Sequence, residues 1–393
     1  MATTVTSRLM RSINYANTLK LIRRSGPISR TEIAHQLDAS LSTIVRIVDE
    51  LMADDLVRPS GAVESTAGRS RPLIAFNGSG HIVIGIDLGE EEMLGVVSDL
   101  AGNILHEVKS PVAGLTEPND VRLVSEMLTD LLAFSGASGK HMRGVAIGAP
   151  GVTQGRAGIV TWAPSLNWRN LPLRQILSDQ FNVPVFVEND VNLMALGEWG
   201  FGANRDTDDL VCIFIGNGIG AGLVIGGVLH RGFNQAAGEA GRLLTGVRCL
   251  DEQYDDRYGP LEQEASKRAI MHHARAALND EPEAAALTLS RVFEAAAEGR
   301  PWAVSAVQHA LDYLSLAIAN VSCILDPEVV VLGSSVTEHL QPYLPVIGRR
   351  LERSIPVVPR IEISTLGRHA VVMGAAMLIL GSTLESYVLK QLA

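Results

Sequence analysis

Three cysteines, no long apolar run and no leader-like start set the first limits on this chain of 393 residues. Cys212, Cys249 and Cys323 are scattered and odd in number, which argues against a disulfide framework and for a reducing compartment, the cytoplasm. No stretch of about 18 apolar residues is present to cross a bilayer. The longest candidate, Ala370 to Gly381, is too short and reads as a buried helix. The opening MATTVTSRLMRS has no apolar core of the kind a secretory signal needs. Overall basicity is missing as well, since the net charge is -10. The charge is uneven, however. Residues 1–77 hold ten Lys/Arg against seven Asp/Glu (+3), leaving 23 against 36 (-13) for the remainder. A mildly basic head on an acidic body suits a head that meets phosphate and a body that does not. The length suits two or three domains.

In the head, Leu9, Ile13, Ala16, Leu19 and Leu21–Ile22 fall near helical spacing and predict an opening helix ending at Ser25-Gly26-Pro27. Ser29 and Glu32 form a capping box, stapled by Ile28 and Ile33, for a second helix to about Leu37. After a turn at Asp38-Ala39, Ser40 can cap a third helix, Leu41 to Ala53, with Ile44, Ile47/Val48 and Leu51 facing inward. Ser42, Thr43 and Arg46 then lie on its outer face, where a recognition helix presents side chains to the major groove. Arg46 can reach a guanine or a phosphate, and Ser42 and Thr43 suit phosphate positioning. Two strands, Leu56–Arg58 and Leu73–Phe76, flank a polar loop from Gly61 to Pro72 tipped by Gly68-Arg69-Ser70-Arg71-Pro72. That pattern predicts a winged helix-turn-helix whose wing carries Arg69 and Arg71 to the minor groove or backbone. A small helical protein-interaction module is the alternative.

The body alternates strands and helices, with strands at His81–Gly89, Met93–Ser98, Ile104–Val108, Gly144–Gly148 and Val183–Val187, and helices at Asp120–Phe134 and Val191–Trp199. This predicts an α/β fold with a mixed sheet. Glu188-Asn189-Asp190 sits at a strand's C-terminal end, where such folds bind ligands. Glu281–Glu298 and Trp302–Leu325 read as helices, Val329–Leu332 as a strand, and His369–Leu380 as a helix returning to the first lobe. His272, His273 and His339 have no spacing that points to metal or catalysis.

The body resembles the ROK family (repressors, open reading frames and kinases), whose fold is a two-lobed, actin-like ATPase fold. The resemblance rests on Asp87-Leu-Gly89, Gly148-Ala-Pro-Gly151, Val187-Glu-Asn-Asp190, Gly216-Asn-Gly-Ile-Gly-Ala-Gly222, Gly238-Glu-Ala-Gly241, Gly259-Pro-Leu-Glu262 and Val329–Gly333, in order and spacing. The head resembles the winged helix of the family's regulators, including the Gly-Arg-x-x-Pro wing, and the whole resembles its xylose and N-acetylglucosamine repressor branch. The resemblance implies that Asn189, Asp190, Glu239 and Glu262 bind sugar hydroxyls. Carboxylates and an amide can hold several donors and acceptors of a sugar ring at once. In the family's kinases the Asp at the position of Asp190 is the general base. For Asn189 and Asp190 the competing reading is a cap on the following helix.

Two departures from the family pattern bear on chemistry. Its kinases carry Asp-x-Gly-Gly-Thr at the first phosphate loop, whereas this chain has Asp87-Leu88-Gly89-Glu90-Glu91-Glu92. Three carboxylates repel a nucleotide and the hydroxyl is gone, so ATP binding is expected to be lost and Asp190 to bind ligand without acting as a base. Its zinc site is also broken. Arg242 stands where the His belongs, Pro260 where the last Cys belongs, and Cys249 alone cannot hold zinc. Asp251, Glu252, Asp255 and Asp256 read as a solvated acidic loop before a hard-cation site. Arg242 can pair with a nearby acid or contact an anionic sugar.

The expected protein is a sugar-responsive transcriptional regulator, more a repressor than an activator. It is expected to use no cofactor or resident metal and to lack enzymatic activity. Its expected partners are a double-stranded DNA operator, a sugar effector and a second copy of itself, in a homodimer or larger homo-oligomer. The expected domains are 1–78 for the head, 79–188 with 370–393 for the first lobe, and 189–369 for the second. A regulator that senses a protein partner through a vestigial sugar pocket, and an active sugar kinase with an added head, are the rivals.

Overall fold

Serine caps set the helices of the head. In the computed structural model, α1 (Ala2–Ser25) is followed by β1 (Ile28–Ser29), α2 (Arg30–Gln36), α3 (Leu41–Ala53), β2 (Val57–Val63) and β3 (Arg71–Phe76). The structure describes residues 2–392 apart from 64–70, 90, 113–116, 206, 252–257, 279–281 and 334–335. Ser29 Oγ accepts from Glu32 N at 3.2 Å and Ser40 Oγ from Thr43 N at 3.2 Å, so both expected caps form. Ile44, Ile47, Val48 and Leu51 are buried, as their spacing requires. On α1 the inward face is Tyr15, Leu19 and Ile22; Ile13, expected there, is 44% exposed. Tyr15 can take the inner position because its hydroxyl reaches Asp54 Oδ2 at 2.8 Å. The three strands pair in the order β1-β3-β2, completing a winged helix-turn-helix. The wing strands are longer than their apolar cores suggested. Arg71, expected in the loop, belongs to β3 opposite Val63. Arg69 lies outside the described residues.

The body contains two five-stranded sheets built to one plan. The first joins β4 (His81–Leu88), β5 (Glu92–Asp99), β6 (Ile104–Pro111), β7 (His141–Ala149) and β11 (Val185–Asn189), in the order β11-β7-β4-β5-β6. Strands β11, β7 and β4 run parallel, while β5 and β6 continue antiparallel. Helices α4 (Arg122–Ala137) and α5 (Leu173–Phe181) belong to this lobe. So does a small antiparallel sheet of β8 (Val152–Gln154), β9 (Ile159–Ala163) and β10 (Trp168–Leu171), whose strands are too short to show in the pattern.

The second sheet repeats the plan with β12 (Leu210–Ile215), β13 (Ile219–Ile225), β14 (Val228–Leu229), β15 (Val329–Gly333) and β16 (Arg360–Ile363), ordered β14-β13-β12-β15-β16. Between the lobes stands α6 (Asp190–Phe201). Helices α7 (Pro260–Ala265), α8 (Lys267–Ala277), α9 (Pro282–Ala285), α10 (Leu289–Ala297), α11 (Pro301–Leu325) and α12 (Leu344–Ser354) cover the second sheet. The single helix expected over Glu281–Glu298 is two, because Thr288 caps α10 by accepting from Arg291 N at 3.3 Å. Among the described residues no helix is long and apolar enough to cross a membrane.

The closing helix α13 (Ala370–Leu392) packs along α6. The backbones approach so closely that a Cβ on Gly374 would lie 1.9 Å from Leu193 O, so only glycine fits. The same helix joins head to body. Ala375, Ala376, Ile379 and Leu380 share one buried cluster with Leu19, Ile22, Leu51 and Ile74 of the head. A polar seam lies beside it. His81 Nε2 donates to Asp55 O at 2.7 Å, while Arg143 Nε donates to His81 Nδ1 at 3.1 Å. Burial, the leading cause, and the Arg143 charge lower the His81 pKa and favour its neutral form.

Candidate functional site

The cleft between the lobes encloses a cavity of about 580 Å³, within the size range of small-molecule sites. It opens at the C-terminal ends of β4, β7 and β11, where strand carbonyls give way to polar loops. Asn189, Asp190, Glu239, Arg242 and Glu262, spread over 74 positions of sequence, all line it.

Each of these residues also has local work. Asn189 caps α6, its Oδ1 accepting from Asn192 N at 3.0 Å, while its Nδ2 donates to Gly151 O at 3.0 Å. The helix-cap reading and the cleft reading therefore both apply to Asn189. Asp190 Oδ1 accepts from Val191 N at 2.8 Å, at the positive end of the α6 dipole. Its neighbour across the cleft is Asp87. Burial, and after it the Asp190 charge, push the Asp87 carboxyl up to about 8. At neutral pH Asp87 is thus protonated and can donate a hydrogen bond where Asp190 accepts.

Glu239 is raised as well, by desolvation first and Glu262 second, with Arg242 opposing. Glu262 is less free than its place in the motif suggested. Its Oε1 accepts from Ile219 N at 2.9 Å and its Oε2 from Gly259 N, so it ties the glycine loop to the start of α7. Each oxygen keeps a lone pair for a hydroxyl.

The lining is acidic overall, with Asp87, Glu91, Glu92, Asp190, Glu239 and Glu262 against Arg242 and Lys267. Lys267 Nζ meets Glu91 Oε1 across the cleft at 3.3 Å, so part of the glutamate run links the two lobes. Glu90 lies outside the described residues. In the glycine loop, a Cβ on Gly222 would lie 2.4 Å from Val191 O, so this glycine is needed for strand–helix packing whatever the loop binds. Trp162, Gln235, Tyr258 and Lys267 also line the cleft, and no sequence motif had marked them. Trp162 comes from β9, Lys267 from the start of α8, and Gln235 and Tyr258 from loops, so only the fold brings their side chains together.

The acidic loop supplies no metal group among the described residues, with Glu252, Asp255 and Asp256 outside them. Among the described residues a group of three that could hold an ion lies elsewhere. Glu264, His273 and His309 present ligand atoms within 4.8 Å of one another. His309 Nε2 lies 2.6 Å from Glu264 Oε2, and the two imidazole rings are 4.2 Å apart. Helical spacing within α8 could not reveal this cluster, because its members come from three helices.

On the head, Ser42 and Arg46 are exposed on α3, and Arg46 makes no ion pair among the described residues. Thr43 is half-buried with Oγ1 2.8 Å from Ser40 Oγ, so it supports the cap as well as the surface. Leu41 and Val45 are exposed on the same helix, apolar contacts the polar pattern had hidden.

Residues 83–382 match the model of the ROK family. A xylose repressor of Caldicellulosiruptor bescii is 29% identical over 96% of this chain and 98% of its own length. Among solved structures, a ROK family transcriptional regulator, a homologue of the Escherichia coli MLC protein, superposes with a TM-score of 0.82 at 27% identity, covering 97% of this chain and 98% of the other. A ROK family glucokinase from Streptomyces griseus, in complex with glucose and AMPPNP, has a TM-score of 0.63 at 30% identity, covering 76% and 98%. The glucokinase covers only about the share of this chain that the body occupies, whereas the regulator covers the head as well.

Proposed function

Since this chain belongs to the ROK family, we propose that it is a sugar-responsive DNA-binding repressor that holds its effector without phosphorylating it. One observation carries this reading. Asn189, Asp190, Glu239 and Glu262 line one cleft together with Glu91 and Glu92 of the first loop, a set that supports hydroxyl binding and disfavours nucleotide phosphates. A cleft with this charge favours a neutral, hydroxyl-rich ligand over a sugar acid or phosphosugar. Asn189, Asp190, Glu239 and Glu262 hold its hydroxyls, and Arg242 and protonated Asp87 donate.

The head reads DNA with Ser42, Thr43 and Arg46 in the major groove, and Arg69 and Arg71 along the wing. Two heads on a homodimer meet two half-sites of a pseudo-palindromic operator. Residues 1–78 form the reader, 79–188 with 370–393 the first lobe and 189–369 the second. The protein works in the cytoplasm. Coupling runs along α13, whose Val371 lines the cleft and whose Ile379 and Leu380 enter the head's core. Effector that binds one lobe arrangement better than the other shifts the heads through that helix.

A second reading is kept by the match to a glucokinase and by Asp190 at the general-base position: phosphoryl transfer to the same sugar. One experiment separates the two. Fluorescence anisotropy on operator DNA is measured against a panel of monosaccharides, with and without Mg-ATP, alongside ADP release. A neutral sugar that changes operator affinity at least tenfold, with no sugar-dependent ADP, supports the sensor. Sugar-dependent ADP release establishes the kinase. Silence across the panel moves the effector to a protein partner.

A further inference from the structure

A second cavity, of about 560 Å³, lies where the head meets the body. Its walls come from α1, the end of β11, α6, the β13–β14 turn and α13. Five cationic residues line it: Lys20 and Arg23 from the head, and Arg156, Arg174 and Arg231 from the body. Among the described residues Glu188 is the one carboxylate in the lining. That carboxylate is already engaged, with Oε2 held by Arg231 Nε at 2.6 Å and Oε1 accepting from Asn189 N and Asn192 Nδ2 at 2.9 and 3.0 Å. Lys20 pairs outside the cavity with Asp208 at 3.1 Å.

Arg23, Arg156 and Arg174 make no ion pair among the described residues. Arg174 Nη1 and Nη2 donate to the carbonyls of Arg156 and Gly155 at 2.9 and 2.7 Å, and its buried Nε has no acceptor. Arg23 lies over the Phe201 ring at 5.8 Å and against Met377 Sδ at 2.8 Å. Three uncompensated guanidinium groups around one concavity concentrate positive potential that their neighbours do not neutralise. Guanidinium forks match phosphate oxygens in pairs, and Leu19, Leu196 and Trp199 offer an apolar wall to the rest of a ligand.

We propose that this junction cavity is a second ligand site, taking a phosphate-bearing small molecule, and that its occupant clamps α1 of the head to the body. The site differs from the cleft in residues and in charge. The two cavities share a wall, because Glu188 faces the junction while the next two residues, Asn189 and Asp190, face the cleft. Anion binding itself is independent of the sugar reading. Only the consequence for operator binding rests on the head being a DNA reader.

The probe is inorganic pyrophosphate, titrated calorimetrically into the full-length chain without DNA, at low and at physiological ionic strength. Saturable binding is expected, weakened at least tenfold in Arg156→Gln and in Arg174→Gln and unchanged in Asp190→Asn. Arg156→Gln removes an exposed guanidinium, so a folding defect cannot mimic the loss. Pyrophosphate is also expected to slow amide exchange across residues 13–25 at least fivefold. Four outcomes overturn the proposal. These are no saturable binding at millimolar pyrophosphate, equal weak binding of sulfate and chloride that tracks ionic strength alone, and loss of binding in Asp190→Asn with retention in the arginine variants. The fourth is a drop of about one in the salt slope of DNA binding in Arg156→Gln without pyrophosphate binding, which would assign these cations to the DNA backbone.

Discussion

Two cavities of nearly equal size, about 580 and 560 Å³, lie on either side of the end of β11 and carry opposite charge. Among the described residues the cleft gathers six carboxyl groups against two bases, and the junction gathers five bases against one carboxylate. Volume therefore says nothing about what either one holds; charge and hydrogen-bonding state do. In the cleft, burial first and the Asp190 charge second favour a proton on Asp87, so that a repulsive pair becomes a donor facing an acceptor. At the junction no proton can be shed in this way, because a guanidinium keeps its charge even where burial lowers Arg23 to about 10.

The largest expected effect abolishes both cavities together. In Gly374→Ala the new Cβ meets Leu193 O and pushes α13 from α6, the pair that borders both sites. A loss of about 3 kcal/mol or more is expected, read as a lower denaturation midpoint with both binding activities weakened. Next is the change that separates them. Asp190→Asn should weaken binding of the sugar found in the anisotropy panel about 100-fold, since charge-assisted hydrogen bonds contribute about 1.5–3 kcal/mol each. Pyrophosphate titration of the same variant should be unaltered.

The third sharpens the electrostatic contrast. Unfolded Asp87 ionises near 3.8 and folded Asp87 near 8, so between those values the native state holds a proton the unfolded chain has lost. Its contribution to stability therefore falls as pH rises from about 4 to 8, by at most about 1.4 kcal/mol per unit, and then levels off. Urea denaturation of Asp87→Asn from pH 5 to 8.5 should show a flatter profile than wild type, and parallel profiles would remove Asp87 from the account.

His81 acts in the opposite sense at the head–body seam. Its folded pKa is lowered, so its contribution is intact above the ordinary value of 6.5 and is lost as pH falls from there toward the folded pKa. A decline in stability between pH 7 and 5 is expected and should vanish in His81→Gln. Smallest is Lys267→Ala. Its pair with Glu91 is exposed, so stability should change by less than about 1 kcal/mol. A large loss of sugar affinity there would promote Lys267 from linking the lobes to holding ligand.

Much of the fold was legible because its signals are local. Ser29, Ser40, the 3.6-residue spacing of Ile44, Ile47 and Leu51, and the apolar strands His81–Leu88 and Val329–Gly333 each act within a few residues. Signals failed where a neighbour far along the chain decided the outcome. Ile13 gave way to Tyr15 because Asp54 offered the hydroxyl a partner. The three strands after β7 are stabilised by one another and have no period to show. Of the candidate site, the motif residues could be named from their resemblance, but the second duty of Glu262 as a tie to the glycine loop could not.

By itself the sequence determined a capped three-helix head with a wing, a two-lobed α/β body, and a first loop rich in glutamate, because each depends on residue chemistry repeated at short range. Only the tertiary structure decided which charges meet. It put Asp87 opposite Asp190, brought Glu264, His273 and His309 together from three helices, and turned Lys20 and Arg23 of the head toward three arginines of the body. Electrostatic energy depends on distance through space and on the water excluded between groups, and neither quantity is written along the chain.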